Sequence, residues 1–304
     1  MNVLRVQCLA GFGLEVPDVE VARAFYGSFG LAAADETAGV LGLSSRRAVS
    51  AEILLLPGRH KRLHHLSFGV HAADLPRFEE HLRGLGVAPS SPTFSRIRAG
   101  LWFEDPWGTW VNLTPAAYRP PPSAEPPTME PRIDRHLWRE LEQQVRPNRL
   151  GHMLIFTPDW QKAERFYSDA LGLRTTDRAV GKVAFMAAGS GVRDHHCFGL
   201  IHGSHRGFQH ASFHVDGIDQ IGFGALQMKH AGFSEGFGPG RHAIASNLFY
   251  YARDPWGSWI EYYADMDKVS EDWKAQDWND LPYVWPEWAP EFWSREMNAN
   301  LEPR

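Results

Sequence analysis

Three phrases of the chain occur twice, in the same order and about half a chain length apart. The segment VPDVEVARAFYGSFGL matches TPDWQKAERFYSDALGL, LHHLSFGV matches FQHASFHV, and DPWGTWVN matches DPWGSWIE. The offset between matched residues grows slowly along the chain, from 141 to 145 to 149 positions. Ordered matches of this kind indicate two copies of one module that differ by short insertions. The chain is therefore expected to fold as two similar units.

Each copy predicts the same order of secondary structure. A short apolar stretch favours a strand, and a run with apolar residues at helical spacing follows a Pro-Asp pair. Asp18 and Asp159 come directly after the proline and are expected to cap the two helices. Several short strands follow, and the alternation in FQHASFHV places His210, Ser212 and His214 on one face. The predicted fold class is α+β, with tandem βαβββ modules.

Changes in composition divide the chain into four parts. The predicted parts are an N-terminal module at 1–118, a connector at 119–149, a C-terminal module at 150–266 and a tail at 267–304. Seven prolines within 115–131 favour an extended connector, and a helix is expected to lead from it into the second module. The tail holds five of the twelve tryptophans, so we expect it to pack on its own domain or on a neighbouring subunit.

The composition argues against several classes of protein. A chain of 304 residues with 43% hydrophobic residues can bury a sizeable core, and its net charge of -5 does not suggest a nucleic-acid or membrane-surface partner. Its apolar runs are shorter than the roughly 20 residues that cross a bilayer, and the first residues do not resemble a signal peptide. Two cysteines, Cys8 and Cys197, cannot form a disulfide framework, so a cytoplasmic location is expected.

The two copies differ at positions that could bind a metal. Three predicted strand positions of the second copy carry potential ligands: His152, His210 and Glu261. The corresponding residues of the first copy are Gly11, His65 and Asn112. Two histidines and one carboxylate form the facial triad of non-haem Fe(II) oxygenases, which leaves other coordination positions open. His214 competes with His210 for the second position, but the repeat aligns His210 with a histidine and His214 with a glycine. The sequence therefore predicts a metal site in the second half alone.

With these residues in view, the chain resembles the type I extradiol catechol dioxygenases of the vicinal oxygen chelate superfamily. The resemblance is carried by GHMLIFTPDWQKAERFYSDALGL, FQHASFHV and GPGRHAIASNLFYYARDPWGSWIEYY. It implies two similar domains, each with a curled mixed sheet that forms a funnel, and Fe(II) (with Mn(II) possible) in the C-terminal funnel. It also implies extradiol cleavage of a catechol with both atoms of O₂ incorporated. A homo-oligomer is expected from the aromatic tail.

The resemblance implies three further site residues. A catalytic histidine fifteen positions before the second metal histidine corresponds to His195, with His196 as the alternative. A histidine after a Gly-Arg pair corresponds to His242, and a tyrosine ten positions before the carboxylate corresponds to Tyr251, with Tyr250 as its competitor. In this interpretation His195 transfers protons. His242 and Tyr251 are expected to hydrogen-bond the substrate.

Two other functions use the same scaffold. Isomerases and lyases of the glyoxalase type take metal ligands from both modules, and Gly11 and Asn112 argue against a ligand from the first. Metal-free proteins that sequester small molecules are the other alternative, and the three potential ligands argue against it. The stretch HAIASNLFYY departs from the residues usual in biphenyl-type relatives, which leaves the choice of catechol open.

Overall fold

The computed structural model describes residues 4–37, 39–121, 144–279 and 286–288, with the backbone alone at 35–37 and 286–288. The first half contains β1 (Cys8–Val16), α1 (Val19–Ser28), β2 (Ala32–Thr37), β3 (Val40–Ser44), β4 (Ile53–Pro57), β5 (Arg62–Val70), α2 (Leu75–Gly84), β6 (Leu101–Glu104) and β7 (Trp110–Pro115). Short 3-10 helices lie at Ala72–Asp74 and Ser95–Ile97. These strands form one mixed sheet in the order β2-β3-β4-β1-β5-β7-β6.

The second half repeats this plan at greater length. It contains β8 (Arg149–Thr157), α3 (Trp160–Leu171), β9 (Arg174–Ala179), β10 (Val183–Ala187), β11 (Arg193–Asp194), β12 (Phe198–His202), β13 (Gly207–His214), α4 (Ile218–His230), β14 (Gly236–His242), β15 (Leu248–Arg253) and β16 (Trp259–Ala264). Three short strands follow: β17 (Lys268–Val269), β18 (Gln276–Trp278) and β19 (Pro286–Trp288). The larger sheet has the order β18-β9-β10-β12-β8-β13-β16-β15-β14-β19, and β11 pairs with β17.

The two sheets share one pairing pattern, which confirms the α+β class and the repeat. In the first half β1 is parallel to β4 and antiparallel to β5, and β5 is parallel to β7. In the second half β8 is parallel to β12 and antiparallel to β13, and β13 is parallel to β16. The three boundaries between the four predicted parts stay predictions, and the predicted linking helix lies almost wholly outside the described residues.

The aspartates after Pro17 and Pro158 cap the helices as predicted. The Asp18 carboxylate accepts hydrogen bonds from the backbone N–H groups of Glu20 and Val21, at 2.9 and 3.0 Å. Asp159 accepts one from the N–H of Lys162 at 2.9 Å. These bonds satisfy donors that the first turn of a helix leaves without a partner.

The repeated Asp-Pro-Trp-Gly phrase forms a tight turn in both halves. The Asp105 carboxylate accepts from the N–H groups of Trp107 (2.9 Å) and Thr109 (2.7 Å), which closes the turn between β6 and β7. Asp254 does the same for Trp256 and Ser258, at 2.9 Å each. The aspartate thereby fixes where the last strand of each sheet begins.

These turns also dock the halves onto each other. The Tyr167 hydroxyl, on α3 of the second half, donates to the buried Asp105 carboxylate at 2.9 Å. In the opposite direction, the buried Lys61 ammonium lies 4.0 Å from Asp254 and donates to the Ser258 hydroxyl. Apolar contacts continue between the sheets, since Phe12 stacks on Phe208 with ring centroids 5.4 Å apart. The two halves therefore share one core.

None of the helices in the described ranges combines the length and the hydrophobicity needed to cross a bilayer.

Replacing Tyr167 with Phe should lower the free energy of unfolding by about 1–3 kcal/mol, because the buried Asp105 carboxylate loses a donor. Urea denaturation followed by circular dichroism measures the change. Tyr26→Phe is the matched control, since Tyr26 occupies the corresponding place on α1 and its hydroxyl makes no described hydrogen bond to an aspartate. Equal losses in both variants would contradict the role of the Tyr167 hydrogen bond.

Candidate metal centre

The three predicted metal ligands lie on neighbouring strands of the larger sheet. Ser212 of β13 pairs with His152 of the antiparallel β8 and, on its other side, with Glu261 of the parallel β16. These three residues therefore form a row across the sheet. His210 lies two positions before Ser212 on the same strand, and alternation directs it to the same face. Strand register alone brings two histidines and a carboxylate together.

The first sheet has the same register without the same side chains. Ser67 of β5 pairs with Gly11 of β1 and with Asn112 of β7. Gly11 and Asn112 therefore hold the places that His152 and Glu261 hold in the second sheet. The slowly growing sequence offsets identify residues that are equivalent in space.

The ligand atoms of the three predicted residues meet closely. His152 Nε2 lies 3.1 Å from Glu261 Oε2, and His210 Nε2 lies 3.6 Å from the same oxygen. One ligand atom from each residue falls within 4.8 Å of the others, and all three side chains are buried. Within the described ranges, no other set of at least three His, Cys, Asp or Glu side chains meets this criterion.

Neighbouring polar groups orient these ligands. Ser212 donates its hydroxyl proton to Glu261 Oε2, and Asn247 Nδ2 lies 3.4 Å from Oε1. The side-chain oxygen of Gln209 binds Nδ1 of His210, which leaves Nε2 toward the carboxylate. That Nε2 is buried and has no hydrogen-bond partner among the described residues. A buried imidazole nitrogen without a partner, facing a carboxylate and a second imidazole, fits a divalent metal ion.

The charge states also suit a metal. Burial alone would raise the pKa of Glu261, but hydrogen bonds from His152 and His242 and the nearby His210 lower it overall, so the carboxylate is ionised at neutral pH. Burial lowers the pKa of His210 to about 3 against the opposing effect of Glu261, so its imidazole is neutral. Ionised carboxylate and neutral imidazole are the forms that bind metals.

A cavity opens beside the two histidine ligands. Its lining consists of His152, Leu154, Phe185, His196, His210, His242, Ile244, Asn247 and Tyr251. His242 Nε2 lies 3.1 Å from the Tyr251 hydroxyl and 3.6 Å from Glu261 Oε1. Burial and the nearby Glu261 raise the pKa of Tyr251 well above its usual range, so it keeps its phenolic proton. Two of the three further predicted residues therefore face the ligands.

Alternation along β15 distinguishes the two candidate tyrosines. Tyr251 pairs with Glu261 and contacts the His210 ring, with centroids 5.3 Å apart. Tyr250 points to the other side of the sheet and joins the large apolar core. The structure therefore places the predicted Tyr251, rather than Tyr250, in the cavity.

The two adjacent histidines before β12 lie in different surroundings. His196 lines the cavity, and its ring packs against the His152 ring with centroids 4.5 Å apart. The predicted His195 is not among the lining residues; its Nε2 lies 3.3 Å from Asp177 and its ring contacts Trp273. The chain bends between β11 and β12, so the alternation of a regular strand does not apply there. The cavity lining therefore includes His196 and not His195, and the catalytic role of His195 stays a prediction.

The competing ligand His214 is separate from the metal centre. A register shift between Ser212 and Phe213 interrupts the pairing of β13 with β8 just before it. The Nδ1 atom of His214 lies 3.2 Å from the amide nitrogen of Asn148. His214 lies outside the group of three ligands that meet within 4.8 Å.

A partly buried arginine lies beside the corresponding place in the first half. A Cβ atom added to Gly11 would lie 3.1 Å from Nη2 of Arg98, so the guanidinium lies beside the position equivalent to His152. Asn112 lies 3.5 Å from the Leu101 carbonyl, and His65 packs near Trp102 with ring centroids 5.1 Å apart. The positive charge of Arg98 opposes a cation here.

Comparison with known proteins identifies the family. The Glyoxalase/Bleomycin resistance protein/Dioxygenase superfamily model matches residues 149–262. Metapyrocatechase 2 of Cupriavidus necator is 36% identical over 301 residues, which cover 97% of this chain and 93% of that protein. The chain belongs to the extradiol dioxygenases of the vicinal oxygen chelate superfamily. The residues that match the superfamily model form the half of this dioxygenase that holds His152, His210 and Glu261.

Two further matches are more distant. An iron-dependent extradiol dioxygenase of Rhodococcus jostii (strain RHA1) is 24% identical over 272 residues, covering 83% of this chain and 84% of that protein. The structure of an Mn(II)-bound glyoxalase from Novosphingobium aromaticivorans superposes with a TM-score of 0.80 at 20% identity, covering 99% of this chain and 96% of that one. At such identity the structural likeness shows the fold alone.

Replacing His210 with Gln should abolish stoichiometric metal retention, because one of three ligands is lost while the volume of the side chain is nearly kept. Anaerobic loading with Fe(II) or Mn(II), gel filtration and elemental analysis measure the retained metal. His65→Gln is the matched control, because His65 occupies the equivalent strand position of the first half and should leave the metal content unchanged. Full metal content in the His210 variant would contradict the site.

Proposed function

We propose that this chain cleaves a catechol ring beside its two hydroxyl groups and incorporates both atoms of O₂, with Fe(II) held by His152, His210 and Glu261. Mn(II) is the other metal that this ligand set suits. The observation that carries the proposal is the buried trio of ligands beside a cavity in a chain that is 36% identical to a metapyrocatechase. Bound Fe(II) would supply electrons to O₂ and lower the pKa of a coordinated hydroxyl.

His196 is proposed as the group that moves protons. Its Nδ1 lies 3.1 Å from His195 Nδ1, so Nε2 is the ring nitrogen left for the cavity. Burial, together with the neighbouring histidines, lowers the pKa of His196 well below its usual range, so the imidazole is neutral and its Nε2 can accept the catechol proton. The same nitrogen would return a proton as the ring opens. This role replaces the one predicted for His195.

His242 and Tyr251 are proposed to bind the substrate oxygens. Tyr251 keeps its proton and therefore remains a hydrogen-bond donor. His242 is within 3.6 Å of Glu261 and 3.1 Å of the Tyr251 hydroxyl, which places both groups beside the ligands. The Phe185 ring and the Ile244 side chain complete an apolar wall that excludes water from the reacting groups.

The other functions on this scaffold receive less support. A glyoxalase-type site would take metal ligands from both halves. In the first half, Gly11 and Asn112 stand where a histidine and a carboxylate would be needed, and the guanidinium of Arg98 lies beside Gly11. A metal-free binding protein would gain nothing from a fully buried carboxylate facing two imidazoles. The trio of ligands thus favours the dioxygenase.

We further propose a cytoplasmic protein that forms a homo-oligomer. Cys8 and Cys197 are free, and burial raises their pKa values to about 11 and about 12, so both remain thiols. Free thiols persist in a reducing compartment. The exposed side chains of Phe223 and Leu226 on α4 offer apolar surface to a second copy.

Fe(II)-loaded protein should convert a catechol into a yellow ring-fission product that carries two labels from ¹⁸O₂. Absorbance spectra and mass spectrometry on a panel from catechol to bicyclic diols measure conversion and substrate preference. Glu261→Ala should lose the activity with its metal ligand, while Asn112→Ala, the equivalent change in the first half, should retain it. Normal turnover by the Glu261 variant, or incorporation of a single labelled atom, would refute the proposal.

Replacing His196 with Gln should lower kcat by about 10²- to 10⁴-fold, the usual contribution of a positioned acid or base. The variant should still bind metal, because His196 is not among the three ligands. Steady-state kinetics with elemental analysis separate the two effects. A smaller loss in His196→Gln than in His195→Gln would favour His195 as the proton-transferring residue.

A further inference from the structure

A chain of side chains lies behind His196, on the side away from the cavity. Asp177 of β9 is 3% exposed, and its Oδ2 lies 3.3 Å from Nε2 of His195, at the long end of hydrogen-bond distances. On the other edge of the same ring, Nδ1 of His195 lies 3.1 Å from Nδ1 of His196. Two consecutive contacts thus connect a buried carboxylate to His196, which lines the cavity.

The C-terminal tail holds this carboxylate in place. Strand β18 pairs with β9, with Gln276 opposite Asp177. The Gln276 N–H donates to Asp177 Oδ1 at 2.8 Å, and the Trp278 indole N–H lies 3.2 Å from Oδ2. The Trp273 indole donates to the Thr176 carbonyl at 2.8 Å, and its ring lies perpendicular to the His195 ring with centroids 5.9 Å apart. The tail therefore encloses both Asp177 and His195.

The direction of these contacts determines which nitrogen of His196 carries the proton. An ionised carboxylate only accepts hydrogen bonds, so His195 must present Nε2–H to Asp177. When His195 is neutral, its lone pair lies on Nδ1, and His196 must donate Nδ1–H to it. Nε2 of His196 is left unprotonated toward the cavity, which is the form that can accept a proton.

We propose that Asp177 and His195 are positioning residues that hold His196 in this tautomer and orientation, and that Gln276 and Trp278 of the tail secure Asp177. This inference rests on the proposed function. Burial would raise the pKa of Asp177, but the contact with His195 and the hydrogen bonds from Gln276 and Trp278 lower it overall, in agreement with an ionised carboxylate. A charged acceptor behind a histidine is a common way to orient a ring that acts on another atom.

Asp177→Asn is the principal test. An amide can also donate, so it no longer enforces one direction of hydrogen bonding, and kcat should fall by about 10- to 100-fold, the usual effect of removing such a partner. KM for the catechol and the metal content should stay unchanged. Trp278→Phe, which removes one donor to Asp177, should lower kcat in the same direction and less.

The matched control is Asp277→Asn. Asp277 lies between the two tail residues that bind Asp177, but its exposed carboxylate pairs with Arg178 at 2.9 Å instead. This variant should keep the kcat of the unaltered enzyme. If kcat fell as much in Asp277→Asn as in Asp177→Asn, the effect would come from a general weakening of tail packing, and the inference would be overturned.

A measurement without activity completes the test. Nitrogen-15 spectra of the metal-free protein, with the His196 signals assigned by their absence in His196→Gln, should show one Nδ1–H tautomer in the unaltered chain and a mixture in Asp177→Asn. An unchanged tautomer together with an unchanged kcat would overturn the inference. If the unaltered chain cleaves no catechol, the proposed function fails, while these spectra still decide whether Asp177 positions His196.

Discussion

The carboxylate of Glu261 is the constraint on which the second half depends. It is fully buried, and an ionised carboxylate without compensation inside a protein is destabilising by several kcal/mol. Compensation comes from Ser212 on the neighbouring strand, from Asn247, and from the imidazoles of His152 and His242. These groups come from β8, β13, the end of β14 and the loop before β15. The carboxylate on β16 is therefore compensated only when β8, β13 and β14 hold their places around it.

The first half keeps this backbone arrangement under a different electrostatic requirement. Asn112 replaces the carboxylate with a neutral amide, and the partly buried Arg98 places a positive charge beside Gly11. Glu52 lies near Arg98 and accepts a hydrogen bond from the Leu150 N–H at 2.9 Å, two residues before His152. The first half thus contributes to the metal centre indirectly, because it anchors the strand that carries a ligand.

The positions of the three ligands are predictable from the sequence, because residues that align in the repeat also occupy equivalent register positions in the two sheets. Gly11 and His152 each pair with the serine of the repeated phrase, so the offset of 141 positions places them correctly. The choice between His195 and His196 could not be made that way. The two residues lie where the chain bends. His196 lines the cavity, whereas His195, one position earlier, lies beside Asp177. Nothing in the spacing of the tail residues indicated that Trp278 would bind a carboxylate on β9.

The parts of the site differ in how rigidly the fold holds them. The three ligands lie on the adjacent strands β8, β13 and β16 in the middle of the larger sheet. Each of these strands is paired on both sides, so displacing one strand would disturb two ladders of hydrogen bonds. His196 lies on a bend, and its position depends on Asp177 and on a tail strand at the edge of the sheet. Edge strands are the parts of a sheet that open most readily. Under the proposed roles of His196 and Asp177, sequence changes in the tail alter proton transfer without altering metal retention, which separates the evolution of turnover from that of the metal centre.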